Sequence, residues 1–227
     1  MADQAATSER EPFRFRSTMN LTLLTNRRAR DLAELMGHLR EVPGSVIYYH
    51  THHFLVQHQY LSPEPPNDFA FWVTNALQED RLGEQLAAID LMQFRTLRAL
   101  RERLLAVIES FIESTRQLRA APEGEEFHFR ESVTFILPAP HVAHDLGELA
   151  EHIQKVSLGS LAYHFFDARL RLERGDNDFS EWLAKHLGEE ELALRIAHLD
   201  PYTYTLEGLR NEVVRLIQDH LQERSGS

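Results

Sequence analysis

An internal repeat is the feature of this sequence that most constrains its fold. The segment DLAELMGHLREVPGSVIYYH, residues 31–50, aligns without a gap to DLGELAEHIQKVSLGSLAYH, residues 145–164, and eight of the twenty positions are identical. A second block, NDFAFWVTNALQEDRLGEQLAAID at 67–90, aligns to NDFSEWLAKHLGEEELALRIAHLD at 177–200 with nine identical positions. Self-similarity over this length predicts a tandem duplication, in which two copies of one structural unit build the molecule.

The repeat also predicts how the chain is divided. FRFR at 13–16 and FHFR at 127–130 mark the start of each copy, and RAAPEGEE lies between the copies. We therefore expect a disordered tail at 1–12, a first repeat at 13–118, a polar linker at 119–126 and a second repeat at 127–223. The two repeats are expected to pack about a pseudo-twofold axis and to form one compact globule.

Hydrophobic periodicity predicts a mainly α fold with a small β element in each repeat. Each copy opens with apolar residues on alternate positions, which is typical of a half-buried strand. These residues are Phe13, Phe15, Met19, Leu21 and Leu23 in the first copy and Phe127, Phe129, Val133, Phe135 and Leu137 in the second. The remainder of each copy follows the helical period.

Two local predictions concern the helices near the histidines. Asp68 and Asp178 are good N-cap residues for the short helix that carries Phe and Trp in each copy. The segment 46–61 is ambiguous, because its β-branched and aromatic residues also suit a strand. The aligned segment SLAYHFFDARLRLE is rich in Leu, Ala and Arg, which prefer helix, and we therefore predict a helix over 46–61.

Composition excludes several functional classes. The chain has 24 Lys and Arg against 35 Asp and Glu, a formal net charge of −11, and no long basic stripe, so we expect no nucleic-acid partner. No apolar run approaches the roughly 20 residues of a membrane span, and the first residues lack a signal-peptide core, so we expect a cytoplasmic protein without a membrane partner. The absence of cysteine leaves His, Asp and Glu as metal ligands. No glycine-rich phosphate loop occurs, so no nucleotide cofactor is expected.

A histidine cluster suggests a metal site. Four histidines lie between positions 50 and 58, and on a helix His50 and His53 are neighbours on one face. The aligned residues of the second copy are His164 and Asp167. If these helices face each other across the repeats, the four side chains converge on one divalent ion, for which Zn, Fe and Mn are candidates. The residues expected to surround the ion or line a pocket are Tyr49, His52, His58 and Tyr163.

Two alternatives give the histidines other roles. In the first, the chain is a non-catalytic protein-interaction or scaffold module, which binds another protein or forms a homo-oligomer, and the histidines are packing residues. The retention of His50 and His164 by both copies favours a structural role for that pair. In the second, the chain is a small-molecule sensor whose pocket lies at the junction of the repeats. No pattern nominates a reaction or a catalytic residue.

The blocks VPGSVIYYHTHHFL and QHQYLSPEPPNDFAFWV, with SLAYHFFDARLRL and NDFSEWL in the second copy, carry a family resemblance. The sequence resembles an uncharacterised bacterial and archaeal family of unknown function, marked by YYHTHHF and SPEPPNDF. The resemblance extends over essentially the whole chain after Glu11. It implies no activity, and therefore no catalytic residues.

Overall fold

The protein is mainly helical around one small sheet, as the periodicity predicts. The computed structural model describes residues 11–53, 67–168, 176–200 and 203–225, without the side chains of His53 and Met92. Strand β1, Phe13–Ala29, pairs with strand β2, Phe127–Ala143, and together they form an antiparallel ribbon. No described helix combines the length and the apolar character needed to cross a bilayer.

Helices fill the chain between the strands and after the second strand. The described helices between the strands are α1 Leu32–Glu41, α2 Gly44–Tyr48, α3 Asp68–Asn75, α4 Asp80–Ala87 and α5 Leu97–Ser114. Those after β2 are α6 Leu146–Lys155, α7 Leu158–Ala162, α8 Asp178–Trp182, α9 Glu190–Ala197 and α10 Leu206–Ser225. Helices α2, α7 and α8 each continue into a π-helical turn, at Tyr49–His53, Tyr163–Asp167 and Leu183–Leu187 respectively.

The ribbon has the same register at its two ends. Phe13 pairs with Ala143 at one end, and Ala29 pairs with Phe127 at the other. The register shifts twice, between Arg14 and Arg16 and again between Leu24 and Arg28. Such irregularities bend a strand and increase its twist, which lets the ends of a long ribbon turn towards different surfaces.

Each strand begins in the hydrophobic core of the helices that lie further from it in sequence. Phe13 and Phe15 of β1 pack with the helices that follow β2, while Phe127 and Phe129 of β2 pack with the helices between the strands. Each buried phenylalanine contributes about 2 kcal/mol of transfer free energy. The ribbon therefore joins the two groups of helices through two separate cores.

The middle of the ribbon departs from the predicted half-burial. Met19, Leu21 and Leu23 are exposed, although they share the parity of the buried Phe13 and Phe15. On the other face, Ser132 is buried and Asn20 is half-buried. The alternation predicts the strands and the buried phenylalanines at their ends, but the predicted burial of the middle is wrong, because only the strand ends enter the cores.

The N-caps also differ from the prediction at one residue in each half. Asn67 caps α3 by accepting from the backbone N–H of Ala70, and Asn177 caps α8 by accepting from Ser180. Asp68 and Asp178 instead begin these helices. Since an asparagine already fills the cap position, each aspartate carboxylate is free to contact another part of the fold.

Candidate functional site

Two π-helical turns position His50 and His164. Each turn continues a five-residue α-helix, α2 or α7, so the described part of the segment predicted as helix, as far as His53, is helical. Residues 54–61 of that segment lie outside the described residues. A π-helical turn displaces the side chains that follow from ordinary helical spacing and often occurs at functional sites.

His50 bonds through both ring nitrogens. Its Nδ1 lies 2.7 Å from Oδ2 of Asp68, and its Nε2 lies 2.9 Å from the backbone nitrogen of Arg130 on β2. A backbone N–H only donates, so Nε2 accepts and the ring proton of the neutral imidazole is on Nδ1, where it is donated to Asp68. This first His–Asp pair thus ties the π-helical turn and α3 to the ribbon.

His164 makes the same contacts in the second half of the chain. Its Nδ1 lies 2.9 Å from Oδ2 of Asp178, and its Nε2 accepts from the backbone N–H of Arg16 on β1 at 2.8 Å. This second His–Asp pair ties α8 to the opposite end of the ribbon. Both histidines are almost fully buried, with relative exposures of 2% for His50 and 3% for His164.

Aromatic rings enclose both imidazoles. The ring centroid of His50 lies 4.7 Å from that of Phe127, and the centroid of His164 lies 4.8 Å from that of Phe13. The predicted neighbours Tyr49 and Tyr163 also contact the imidazoles, at 5.0 and 4.9 Å between centroids. These surroundings bury both imidazoles, while the carboxylates of Asp68 and Asp178 remain partly exposed, at 35% and 20%.

Burial lowers the pKa of His50, although the neighbouring Asp68 carboxylate acts in the opposite direction. Protonation would also place a hydrogen on Nε2, where the N–H of Arg130 already points at the ring. The first His–Asp pair is therefore stable in its neutral-imidazole form.

The two histidines do not meet at one point, which corrects the expectation of a shared ion. Arg130 pairs with Leu24 on β1, eight residues along that strand from Arg16. Eight residues of strand span about 26 Å. Because His50 bonds Arg130 and His164 bonds Arg16, the imidazoles are too far apart to bind one ion, and their nitrogen lone pairs are already used.

Another predicted ligand, Asp167, contacts the first half of the chain. It accepts a short hydrogen bond from the hydroxyl of Tyr48. The Tyr48 ring is parallel to that of His52, with 5.4 Å between centroids, and Nδ1 of His52 lies 2.7 Å from the hydroxyl oxygen of Thr51. Full burial lowers the pKa of His52 to about 3. The two halves therefore meet near the π-helical turns, through Tyr48 and Asp167.

The remaining predicted site residues give no support to a metal centre. His58 lies outside the described residues, and only the backbone of His53 is described. Within the described ranges, no group of three or more His, Asp or Glu side chains is placed to hold a metal ion.

The sequence pattern singles out the histidines of these pairs but not the partners that fix them. Asp68 and Asp178 were assigned to helix capping, and the backbone donors Arg16 and Arg130 carry no side-chain signal. The detectable signal was the aligned Asn-Asp-Phe in both copies, at 67–69 and 177–179. A helix needs one N-cap residue, and here two residues that can cap, Asn and Asp, stand side by side. The aspartate is therefore available for another hydrogen bond.

The fold and the site define a mainly helical protein in which two buried histidines, each bonded to a partly exposed aspartate, fix a shared ribbon to helices on either side. The chain belongs to the Family of unknown function (DUF5752), which it matches over residues 10–218. This membership confirms the resemblance to an uncharacterised family.

A solved structure supports the fold over nearly the whole chain. The protein is similar to OrfY from Thermoproteus tenax, with 34% sequence identity and a TM-score of 0.81, over 92% of this chain and 95% of that one. A search among proteins of curated function finds no match. These comparisons establish the family and the fold, and the function is inferred from the geometry.

Proposed function

We propose that this protein is a non-catalytic interaction module that binds a second copy of itself through the middle of its ribbon. The observation that carries the proposal is that this part of the ribbon turns its apolar face to solvent. Five large side chains form that face, with relative exposures between 43% and 50%: Met19, Leu21, Leu23, Phe135 and Leu137. Exposed apolar surface that is continuous over several residues marks an interaction site more often than scattered residues do.

The pairing of the strands makes this surface continuous. Alternate residues of a strand share a face, and Met19 lies directly opposite Phe135 while Leu21 lies opposite Val133. The centre of the reverse face carries Asn20, Ser132 and Thr134, which are half-buried or buried, while Leu24 and Ile136 on that face are exposed. Large apolar side chains left in water on the first face are costly for an isolated molecule, and a partner that covers them offsets this cost.

A second copy is the partner that suits this surface. The five exposed residues contain no charge, and Glu131, which lies opposite Leu23 on that face, is half-buried and accepts a hydrogen bond from the hydroxyl of Ser45. Like charge on the face is therefore small, even though each chain carries a net charge of −11. Leu21 and Leu23 of one strand align in sequence with Phe135 and Leu137 of the other, which makes the surface close to self-complementary. A twofold interface needs this property, and two sheets that pack face to face provide a common geometry for it.

The histidine contacts support a non-catalytic function. A general base needs a free lone pair, and Nε2 of His50 and of His164 already accepts from a backbone N–H. The same occupied lone pairs are the reason that we do not assign these residues to a metal ion. Their role in this proposal is to hold the ribbon in place.

We also propose that the chain arose by tandem duplication and that its halves are related by a pseudo-twofold axis through the ribbon. Support comes from contacts that recur 114 residues apart, at His50 with Arg130 N and at His164 with Arg16 N. The tryptophans form equivalent hydrogen bonds in the two halves. Nε1 of Trp72 donates to the carbonyl of Glu125, and Nε1 of Trp182 donates to the carbonyl of Glu11. In this arrangement the first residues of each copy's strand pack in the hydrophobic core of the other copy.

Light scattering coupled to size exclusion tests the dimer. At about 0.1 mM protein, a concentration that detects weak association, we expect a mass near twice the 26.3 kDa of the chain. The double variant Leu21→Lys/Phe135→Lys places two ammonium groups on the surface and is expected to be monomeric. A matched control is Leu194→Lys, since Leu194 on α9 is 59% exposed and lies outside the ribbon.

The control should remain dimeric. A monomeric wild type, or a dimer that survives the double substitution while far-ultraviolet circular dichroism shows intact folding, would remove the proposal. Dissociation by Leu194→Lys would place the interface elsewhere.

A further inference from the structure

A cleft of about 460 Å3 opens beside the second His–Asp pair. It lies between the start of β1 and the π-helical turn Leu183–Leu187 that follows α8. Its volume is within the range of sites that bind small organic molecules. Phe13, His164 and Trp182 contribute buried parts of its lining, and the ring contacts and hydrogen bonds described above hold them in place.

Two arginines with uncommitted side chains border this cleft. Arg14 and Arg16 are both exposed, and within the ranges that the structure covers neither guanidinium has an ion pair or a hydrogen bond. Lys185 and His186 line the cleft from the π-helical turn, and Lys185 pairs with Glu181. Guanidinium groups next to a pocket can bind an anionic group through paired, charge-assisted hydrogen bonds.

Three carboxylates complete the charged lining: Glu11, Asp178 and Glu181. Two of them already have cationic or N–H partners, because Asp178 accepts from His164 and Glu181 bonds Lys185. Carboxylates accept hydrogen bonds from hydroxyl groups of a ligand, while arginines bind its anionic group. The lining therefore suits a molecule that carries both an anionic group and hydrogen-bond donors.

The aligned positions of the first half show that the second His–Asp pair does not need these charges. Arg14 aligns with His128, Lys185 with Asn75 and His186 with Ala76. The first His–Asp pair forms the same bonds without them. Arg14, Lys185 and His186 are thus an addition to the common framework, whereas Arg16 aligns with Arg130 of the first half.

We propose that this cleft binds a small organic phosphate and that Arg14 and Arg16 hold its phosphate group. The planar guanidinium forms paired hydrogen bonds with phosphate oxygens, and two guanidiniums compensate the charge of about −2 that a phosphate monoester carries. The organic part then lies against the aromatic lining. This site is separate from the apolar middle of the ribbon, so it goes beyond the dimer proposed above.

Isothermal titration calorimetry with phenyl phosphate and with inorganic phosphate tests the site. We expect saturable binding of phenyl phosphate to the full chain, tighter than that of inorganic phosphate. Arg14→Gln and Arg16→Gln should each weaken it about tenfold, since each removes charge-assisted hydrogen bonds. Arg16→Gln retains the backbone N–H that donates to Nε2 of His164.

The first half supplies matched controls. Arg130→Gln alters the arginine that aligns with Arg16, away from the cleft, and should leave the affinity unchanged. Arg14→His copies the first half and should weaken binding as Arg14→Gln does. Three results would overturn the proposal: no saturable binding of phenyl phosphate, an equal loss in Arg130→Gln, or tighter binding of benzoate, which would make the ligand a carboxylate.

Discussion

The two His–Asp pairs have the same bonds but different neighbours. Each histidine uses Nδ1 on an aspartate and Nε2 on a backbone N–H of the ribbon. Tyr48 and the buried His52 lie near the first pair, and Phe166 occupies the aligned position of His52 near the second. The second pair also borders a charged cleft. The comparison teaches that the shared contacts hold the fold, and that differences between the halves are the place to look for function.

Removing either histidine should have the largest effect and should affect both halves alike. His50→Ala leaves the Asp68 carboxylate and the N–H of Arg130 without their partner, and His164→Ala does the same to Asp178 and Arg16. We expect each to lower the free energy of unfolding by about 3 kcal/mol, because buried polar groups lose bonds and a cavity remains. Urea denaturation monitored by circular dichroism measures this.

His144→Ala is the control, since His144 is exposed and should change stability by less than about 0.5 kcal/mol. A loss below about 1 kcal/mol in either buried variant, which is the size of an ordinary surface hydrogen bond, would mean that the pair does not hold the ribbon. A loss in one half only would break the equivalence on which the comparison depends.

The fold was more predictable than the site, for a physical reason. The helices and the strands are encoded locally by periodicity and by caps such as Asp31 and Thr96, which accept from the backbone as expected for N-caps. The burial of Phe13 but not of Leu21 depends on where the strand ends meet distant helices, which no local pattern records. Both residues lie on one parity of the same strand.

The site was found by its histidines and misjudged in its geometry. His50 and His164, which align in the sequence, make matching contacts in the structure. The sequence predicts that the two histidines converge. In the structure, the start of each strand packs against the more distant group of helices, which places the backbone partners of the histidines at opposite ends of the ribbon. Hydrophobic periodicity does not record this packing, because the same residues are buried whichever group of helices covers them.

The second prediction concerns the acid sensitivity that the buried His52 gives to the first half, where the second half has Phe166. In the folded protein, burial lowers the pKa of His52 from 6.5 to about 3. Between these two pH values His52 is therefore protonated in the unfolded chain but neutral in the native state. Stability should therefore fall as the pH drops from 6.5 towards 3, by about 2 kcal/mol at pH 5. His52→Phe, which copies Phe166, should reduce the loss of stability between pH 7 and pH 5 by that amount.

Urea denaturation at both pH values measures this slope. The lowered pKa of His50 acts in the same direction, so some acid sensitivity should remain in the variant. His144→Phe at an exposed position should keep the slope of the wild type. An unchanged slope in His52→Phe would show that His52 is protonated in the folded state.

The third prediction tests the aspartates, with a smaller effect. Asn at position 68 or 178 retains an oxygen that accepts from Nδ1–H, but it removes the charge that strengthens the bond. We expect Asp68→Asn and Asp178→Asn each to lower the free energy of unfolding by about 1 kcal/mol, the difference between charged and neutral hydrogen bonds. Losses as large as those of the alanine variants would mean that the imidazole is protonated and forms an ion pair.

The smallest predicted effect concerns the turn after α3 and the turn after α8. Gln78 has a φ of 56° and the aligned Gly188 a φ of 71°, both in the left-handed region that favours glycine. A side chain there costs about 1–2 kcal/mol, while glycine costs up to about 1 kcal/mol through the entropy of the unfolded chain. Gln78→Gly should therefore stabilise the protein by about 0.5 kcal/mol, and Gly188→Gln should destabilise it by a similar amount.

Thermal melting of both variants and of the combined exchange measures this pair. The carbonyl of Gln78 accepts from Arg119, a bond that the backbone retains after substitution. The exchange should thus leave the melting temperature close to that of the wild type, because the gain at one turn offsets the loss at the other. Destabilisation by Gln78→Gly would show that the Gln78 side chain contributes packing that exceeds its backbone strain, and that the two turns are equivalent in shape but not in energy.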